Sequence, residues 1–289
     1  VLHLLGVPIA LAVFGAWFQK SQQEQSERAV KEQRAKDADE TREEILQLYF
    51  DRISTLLIDK NLMAIVSKVN DAPSESQELL TASRDVIRAR TLSILRRFEN
   101  DIERKNSVIR FLAEAEIIGK LELDLKGANL NGIDLKWADL RGANLNSARL
   151  ERANLYDVKL QGASLEGASL KKANLNLASL EGTNTNLEGA NLYMASLKRS
   201  NLKGASLQKT NLNQTHLQES VLVDAHLEGA QLYEAHLEKA DLRGAHLAGA
   251  WLECANLKGA NLKGANLERA NLKEANLEGV NLEGANLEG

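Results

Sequence analysis

Residues 255–279 read ANLKGANLKGANLERANLKEANLEG, in which Ala-Asn-Leu followed by two polar or small residues recurs five times without interruption. An α-helix advances about 500° over five residues, which would distribute successive leucines around the whole cylinder. In a strand, an odd spacing puts successive leucines on opposite faces. The five-residue period therefore predicts a chain that turns a corner once per repeat, so that every leucine points at one central axis.

The same period extends far beyond this stretch. Leucine occupies every fifth position from Leu125 to Leu180 and again from Leu187 to Leu287. A small residue stands two positions before nearly every leucine, and the other three positions are mostly Asn, Ser, Lys, Glu, Arg or Gly. Small residues beside large ones indicate a narrow aliphatic interior, and the polar remainder suits an outward surface with tight turns.

At these residues the chain resembles the pentapeptide-repeat family, whose pattern is A-(D/N)-L-x-x, over residues 125–289. The resemblance implies a right-handed quadrilateral β-helix, a β-solenoid with four repeats and therefore twenty residues per coil. A little more than eight such coils would stack to a length of about 40 Å at the usual strand spacing. We expect the first end of the stack to be covered by four apolar residues, namely Ile117, Ile118, Leu121 and Leu123.

One interval breaks the period. Leu187 follows Leu180 after seven residues, through EGTNTN, and Thr183 and Thr185 enter the positions of the small residues. We favour a tolerated surface bulge, and the alternative is a kink or a loop that docks a partner.

The N-terminal segment 1–18, VLHLLGVPIALAVFGAWF, carries no formal charge. As a helix it would span about 27 Å, close to the bilayer core of about 30 Å, so we predict a single-pass transmembrane helix in contact with lipid. The alternatives are a signal peptide and a buried helix. Several Lys and Arg residues follow within about twenty positions, which by the positive-inside rule predicts a cytoplasmic repeat domain. The chain starts without Met and stops within the repeats, so we expect both natural termini to lie beyond it.

Three further segments complete the predicted organisation, which is α+β overall. Residues 19–44 are nearly all polar and favour a solvated helical stalk, with a disordered linker as the alternative. Residues 45–120 show amphipathic helical spacing and predict a small helical domain that caps the solenoid over residues 121–289. The helical domain carries a set of basic residues that we regard as a candidate surface for an acidic protein or anionic lipid: Arg84, Arg88, Arg96, Arg97, Arg104 and Arg110. The alternative is an ordinary solvated surface balanced by neighbouring acidic residues.

Four histidines recur every ten residues: His216, His226, His236 and His246. With twenty residues per coil, His216 stacks on His236 on one side, and His226 stacks on His246 on the opposite side. Paired imidazoles can help to bind a metal, but no Cys or carboxylate repeats with them at ligand spacing, so we favour surface histidines in place of Asn. We include His216 and His236 in the candidate partner surface and predict neither a metal site nor a cofactor.

No motif for catalysis stands out. Cys254 occupies an outward position without an activating base, and the chain has no Gly-rich phosphate loop or nucleophile elbow. We therefore predict a non-enzymatic protein.

Two functions are compatible with these patterns. The first is a membrane-anchored scaffold that presents the rigid β-helix to other proteins, for example as an accessory or assembly subunit of a membrane complex. The family resemblance adds a cyanobacterial setting, in the thylakoid or plasma membrane. The second is a DNA mimic that binds a topoisomerase, an activity that the resemblance brings in. Residues 121–289 contain 21 acidic and 18 basic residues, a net charge of 18 − 21 = −3, which is small for a duplex mimic. The whole chain has a formal net charge of −4, so nucleic acid is not expected as a partner.

Overall fold

The computed structural model describes residues 3–66, 73–182 and 185–289, and the chain forms two compact units, residues 1–51 and residues 52–289. The described helices are α1 (His3–Asp59), α2 (Leu62–Val66), α3 (Ser74–Arg97), α4 (Ile102–Glu114) and α5 (Ile117–Lys120). After α5 the described chain is a stack of five-residue turns, in which each strand is reduced to a single bridging residue.

Helix α1 is one continuous element, so the predicted boundaries after residue 18 and after residue 44 both fall inside it. The side chains of residues 19–44 are almost all exposed. Gln23 Nε2 donates to Glu27 Oε1 at 2.9 Å, and Gln33 Nε2 donates to Asp37 Oδ1 at 2.8 Å. Side-chain pairs four residues apart stabilise an exposed helix by a few tenths of a kcal/mol each, about 0.2–0.5.

The prediction of a single-pass membrane protein is wrong. Among the residues that the structure describes, no helix has a stretch both long enough and apolar enough to cross a bilayer. The apolar stretch ends at Phe18. Gln19 and Lys20 follow at once in the same helix and lower the hydropathy of any longer stretch. The predicted lipid contact and the cytoplasmic placement of the repeats depended on that span and lose their basis with it.

The helices of the second unit share a small apolar core. The buried residues of α3 and α4 recur at helical spacing, which places them on one face of each helix: Leu80, Ile87, Ile94, Leu95, Val108, Ile109 and Leu112. Asp101 precedes α4, and its side chain accepts a hydrogen bond from the backbone N–H of Arg104 at 3.1 Å. This N-cap interaction fixes where α4 begins.

The repeats form a β-solenoid with four repeats in each coil, as predicted. Parallel bridges join residues twenty positions apart, for example Asn211 to Gln231 and Gln231 to Trp251. The N–H of Leu212 donates to the carbonyl oxygen of Gln231 in the next coil at 2.7 Å, and the equivalent bond recurs along the stack. Because one core leucine occupies each side, the residues from Leu125 to Leu282 make eight coils.

Each position of the repeat has its own structural role. At the corner, the N–H of Ala230 donates to the carbonyl oxygen of Leu227 at 3.0 Å, and the intervening Gly229 has a φ of 65°. A positive φ at this position is typical of a type II turn. The Asn of the repeat closes the next bend, since Asn256 Oδ1 accepts the N–H of Lys258 at 3.2 Å. This local hydrogen bond explains why Asn, with Asp at some repeats, recurs before the core leucine.

The break in the period is absorbed within one coil. Thr183, which was predicted to take a small-residue position, and Asn184 lie outside the described residues. On either side the stack stays in register, because Ser164 bridges Asn186 at an offset of 22 and Asn186 bridges Ser206 at the ordinary offset of 20. The two extra residues therefore lengthen one corner and leave the stacking of the sides unchanged.

Thr185 substitutes for a backbone group at this corner. Its side chain is fully buried in the position usually held by Ala, and its Oγ1 accepts the N–H of Gly162 at 2.8 Å. One coil earlier the equivalent N–H, that of Gly142, donates instead to the carbonyl oxygen of Gln161 at 3.1 Å. A hydroxyl thus replaces the carbonyl that the insertion displaces.

Helix α4 contacts the first coil with polar side chains. Asn106 Oδ1 accepts the N–H of Asp134 at 2.9 Å, and Nζ of the buried Lys105 donates to the carbonyl oxygen of Asn129 at 3.4 Å. In the second coil the equivalent N–H, that of Asn154, donates to a carbonyl oxygen of the coil before it. The first coil has no coil before it, so α4 supplies those partners. Burial lowers the pKa of Lys105. The apolar residues expected at this end are all buried, namely Ile117, Ile118, Leu121 and Leu123.

Candidate partner-binding surface

The solenoid presents four outward sides, each built from one repeat of every coil. The second side consists of the repeats centred on Leu192, Leu212, Leu232 and Leu252 and those stacked in line with them. Its fourth to seventh coils carry large apolar and aromatic side chains in outward positions, as the first three coils of the side built on Leu135 do with Trp137, Tyr156 and Leu177.

We call four outward residues of the second side the aromatic strip: Tyr193, Met194, Tyr233 and Trp251. Trp251 is 63% exposed, and Tyr233 and Met194 are each 41% exposed. The strip spans four successive coils, a distance of about 15 Å at the usual strand spacing. Exposed apolar groups clustered on a rigid surface are typical of a site that contacts another molecule.

Acidic residues surround the C-terminal part of the aromatic strip, near Tyr233 and Trp251. Glu234 follows Tyr233 directly, and Glu253 and Glu274 lie in the next two coils of the same side. The Tyr233 hydroxyl donates to the Glu234 carboxylate, which raises the pKa of Tyr233 to about 12 and lowers the pKa of Glu234. Gln214 Nε2 also donates to Glu234 at 2.8 Å. Glu234 is therefore held ionised beside the exposed tyrosine ring.

One cation and one thiol lie at the same edge. Lys273 Nζ lies 3.5 Å from Glu253 and 3.9 Å from Glu274, so it partly balances the acidic residues. The Cys254 thiol donates to Glu274 Oε2 at 3.7 Å. Burial, followed by the charge of Glu274, raises the pKa of Cys254, so the thiol stays protonated at neutral pH and is a poor nucleophile.

The structure pairs four of the six predicted arginines within the chain. The Arg88 guanidinium lies 2.8 Å from Asp124, and the Arg104 guanidinium lies 2.7 Å from Asp101. Longer ion pairs join Arg84 to Glu122 at 4.0 Å and Arg110 to Asp134 at 3.9 Å. Three of these four pairs connect a helix with the first coil. The other two candidates, Arg96 and Arg97, are exposed at the end of α3. That this set contacts a partner stays a prediction.

The histidines stack as their spacing predicts. The ring centroids of His216 and His236 are 4.8 Å apart, and those of His226 and His246 are 4.5 Å apart. Burial, the neighbouring His236 and Lys198 together lower the pKa of His216. The predicted partner surface is distributed over two regions, because its arginines belong to α3 and α4 whereas His216 and His236 lie in the fifth and sixth coils.

The sequence argument did not single out the aromatic strip. The signal was present, because the outward positions of this repeat hold Asn, Gly or charged residues almost everywhere, and Trp251 stands where Asn is usual. It also passed over Glu228 and Glu238, which follow His226 and His236 by two residues. Both carboxylates lie beside an imidazole, since Nδ1 of His226 is 3.2 Å from Glu228 and Nδ1 of His236 is 3.6 Å from Glu238.

The stacked five-residue turns define the class as a β-solenoid protein. The chain belongs to the pentapeptide-repeat family: the family model described as pentapeptide repeats matches it in eight copies, over residues 122–157, 148–184, 183–218, 220–253 and 250–289. No curated protein matches the chain.

Three solved structures of similar chains put this membership in context. HetL, a pentapeptide repeat protein involved in heterocyst differentiation regulation in the cyanobacterium Nostoc sp. strain PCC 7120, is 32% identical, with 57% of this chain and 85% of that chain covered and a TM-score of 0.32. Rfr23 from the cyanobacterium Cyanothece 51142 is 35% identical over 41% of this chain and 63% of its own, with a TM-score of 0.18. QnrB1, a plasmid-mediated fluoroquinolone resistance protein, is 20% identical over 56% of this chain and 86% of its own, with a TM-score of 0.32. Superpositions at these scores carry no functional argument.

Proposed function

We propose that this chain is a non-enzymatic scaffold that binds another protein through the aromatic strip on the second side of its solenoid. Proteins of the pentapeptide-repeat family are generally structural or interaction proteins. The observation that carries the proposal is the exposure of Trp251, Tyr233 and Met194 on one rigid side. Trp and Tyr are the residue types that most often dominate the binding energy of protein interfaces.

The surroundings of the strip indicate what the partner surface contains. The C-terminal end of the strip carries three carboxylates and one nearby cation, Lys273: the carboxylates are those of Glu234, Glu253 and Glu274. A complementary surface therefore combines apolar side chains, which cover Trp251, with Arg or Lys side chains that meet the carboxylates. We infer a partner protein with a basic and apolar segment rather than an acidic one.

The helical segment supports this function by closing the stack. We propose that residues 45–120 act as a domain that caps the solenoid of residues 121–289. The hydrogen bonds from Lys105 and Asn106 to the first coil support this role, because they occupy backbone groups that would otherwise form an open sheet edge. With these backbone groups paired, the first coil does not offer an open edge to a second chain, and the sides of the solenoid stay available for binding.

The topoisomerase-binding alternative is not favoured by the charge pattern. A duplex mimic needs a regular array of uncompensated negative charge. Several carboxylates of the solenoid are instead paired with lysines one coil away, as in Lys258 with Glu278 at 2.9 Å and Lys263 with Glu283 at 3.0 Å.

Site-specific photo-crosslinking in the native cells tests the proposal. A benzophenone amino acid replaces Trp251 in the full chain, and in a matched control it replaces Trp137, which is 62% exposed and stands on another side of the solenoid. We expect the variant at residue 251, and not the one at residue 137, to crosslink one protein reproducibly. Crosslinks of the same proteins from both positions would contradict binding through the aromatic strip.

A further inference from the structure

The first side of the solenoid consists of the repeats centred on Leu207, Leu227 and Leu247 and those stacked in line with them. It holds a group of metal-ligating residue types that the proposed function does not use. His226 and His246 stack one coil apart, with ring planes inclined by only 14°. Glu228 lies beside them, and its Oε1 is 3.2 Å from Nδ1 of His226. One ligand atom from each of the three residues falls within 4.8 Å of the other two.

We propose that His226, Glu228 and His246 bind one zinc ion between two successive coils. Two imidazole nitrogens and one carboxylate oxygen are a common protein ligand set for zinc sites that keep a fourth position open. With metal–ligand distances of about 2.0–2.1 Å, tetrahedral ligand atoms lie about 3.3 Å apart. The distance from Nδ1 of His226 to Oε1 of Glu228 already matches this value.

The remaining adjustment is small and falls on side chains. The third ligand atom has to approach the other two by about 1.5 Å to complete a tetrahedral site. Rotation of the His246 side chain supplies a movement of this size, since rotamer changes of partly exposed side chains are fast and inexpensive. The backbone of both coils keeps its hydrogen bonds throughout, including the bond from the N–H of Leu227 to the carbonyl oxygen of His246 at 2.7 Å.

A second observation points to a cation at this place. Oε2 of Glu228 is shielded from solvent and has no hydrogen-bond partner among the described residues, and the same holds for Oε2 of Glu238 beside the other histidine pair. A shielded carboxylate oxygen without a partner is unfavourable, and a bound cation satisfies it. Only at Glu228 do two imidazoles and the carboxylate lie within 4.8 Å of one another among the described residues.

The charge along the first side also favours a cation. The residues that directly follow the core leucines in the neighbouring coils are acidic or uncharged, namely Glu188, Gln208, Ala248 and Glu268. On the opposite side the equivalent residues around His216 and His236 are Gln218 and Glu238, and the coils on either side add Lys198 and Lys258. Lys198 contributes to the lowered pKa of His216, which shows that its positive charge acts on that pair. The His226 pair is therefore the better place for a divalent ion, although both pairs have the same spacing.

The bound ion would join the sixth and seventh coils, which contain Leu227 and Leu247. Because only three protein groups reach it, its fourth position faces solvent, where it binds water or a donor atom from another molecule. This inference goes beyond the proposed partner surface, which lies on a different side of the solenoid, so either one can fail without the other.

Zinc titration of the full metal-free chain tests the proposal. A chromophoric chelator competes for Zn²⁺, and all proteins carry Cys254→Ser so that the thiol does not bind the metal. We expect one zinc ion per chain, and at least about a 10-fold loss of affinity in His226→Asn, Glu228→Gln and His246→Asn. Asn is the usual residue before the core leucine, so the two histidine variants keep the repeat pattern. A cooperative unfolding transition of each metal-free variant in denaturant checks that the variant is folded.

The matched control is the double variant His216→Asn/His236→Asn, which removes the stacked pair on the opposite side. We expect its zinc affinity to stay within about twofold of the parent, by the additivity of distant sites. Substitution by Co²⁺ should give the intense visible absorption of a tetrahedral ion in the parent and in this control, but not in His246→Asn. The proposal is overturned by the absence of zinc binding, by equal affinity in His246→Asn and the parent, or by loss of binding in the control.

Discussion

Thr185 offers a specific test of how the solenoid absorbs the break in its period. Thr185→Val keeps the shape and volume of the side chain but removes the hydroxyl that accepts the N–H of Gly162 at 2.8 Å. It also places a methyl group where the hydroxyl lies 3.4 Å from the Leu160 carbonyl oxygen. Removing one partner of a partly buried hydrogen bond costs about 1–2 kcal/mol. We expect that cost in the local stability of this corner.

Hydrogen–deuterium exchange with mass spectrometry measures this local stability directly. A loss of about 1–2 kcal/mol corresponds to roughly 5–30-fold faster exchange at Gly162 if the corner opens locally. Gly142 is the internal reference, because its N–H makes the ordinary bond to the Gln161 carbonyl oxygen one coil earlier. Local exchange is the better observable, since a long repeat array does not always unfold in one step.

Thr185→Ser is the matched control for this experiment. It keeps the hydroxyl and loses one buried methyl group, at about 0.8 kcal/mol for a group of that size. Exchange at Gly162 should therefore change much less in Thr185→Ser than in Thr185→Val. Equal protection of Gly162 in Thr185→Val and the parent would refute the replacement of a backbone carbonyl by this hydroxyl.

Three further predictions concern the repeat positions. Leu212→Ala, at a core leucine that is 1% exposed, should destabilise the solenoid by about 2–5 kcal/mol in denaturant unfolding, and a cost below about 1 kcal/mol would contradict a close-packed interior. Gly244→Ala and Gly264→Ala should each destabilise the solenoid by about 1 kcal/mol, because both residues have a positive φ and the only close atom to a Cβ at residue 244 is the end of the exposed Asp224 side chain, which can rotate away. Unchanged melting temperatures of both variants would contradict this reading. The pKa of His216 is lowered in the folded state, so the unfolded chain binds more protons and the free energy of unfolding should rise with pH up to about 6.5. Denaturant unfolding between pH 5 and pH 7 should show that His216→Asn lacks this contribution. The same pH dependence in the variant and the parent would contradict the prediction.

The sequence predicted the solenoid well because its period is incompatible with any other regular element. Five-residue spacing of Leu125 to Leu180 excludes a simple helix or strand, and the four repeats per coil that the family resemblance implies then place His216 on His236. The side-chain hydrogen bonds at the bends follow from the same positions. The interval before Leu187 was predicted to be a tolerated surface bulge, and the bridges across it keep the sides in register.

Features that depend on neighbouring elements were harder to predict. The arginines of α3 and α4 were compatible with a basic partner surface or with a solvated surface balanced by acidic neighbours. Arg88 pairs with Asp124 in the first coil, and nothing local in the sequence indicates that contact. The apolar residues before Gln19 suggested a membrane span by composition, whereas no helix among the described residues is long and apolar enough to cross a bilayer. Near the minimum length of a transmembrane helix, hydropathy alone does not decide whether an apolar segment spans the bilayer.

The candidate sites were missed for a different reason. A regular repeat draws attention to the residues that obey it, and Trp251, Tyr233 and Glu228 matter because they depart from it. Their grouping becomes visible only when residues twenty positions apart are aligned on one side of the coil. In this family of solenoids, outward departures from the repeat are therefore the first places to look for function.

The affinity of the crosslinked partner for the purified full chain tests the central claim most directly. Isothermal titration calorimetry compares the parent with Trp251→Ala and with Trp137→Ala, two changes that each remove one exposed tryptophan from a different side of the solenoid. Truncation of a dominant interface residue costs about 2 kcal/mol or more, so Trp251→Ala should weaken binding at least about 10-fold. Trp137→Ala should leave it within about twofold, as expected for a residue outside the interface. Equal affinities of the parent and Trp251→Ala would contradict the claim that the aromatic strip is the partner-binding surface.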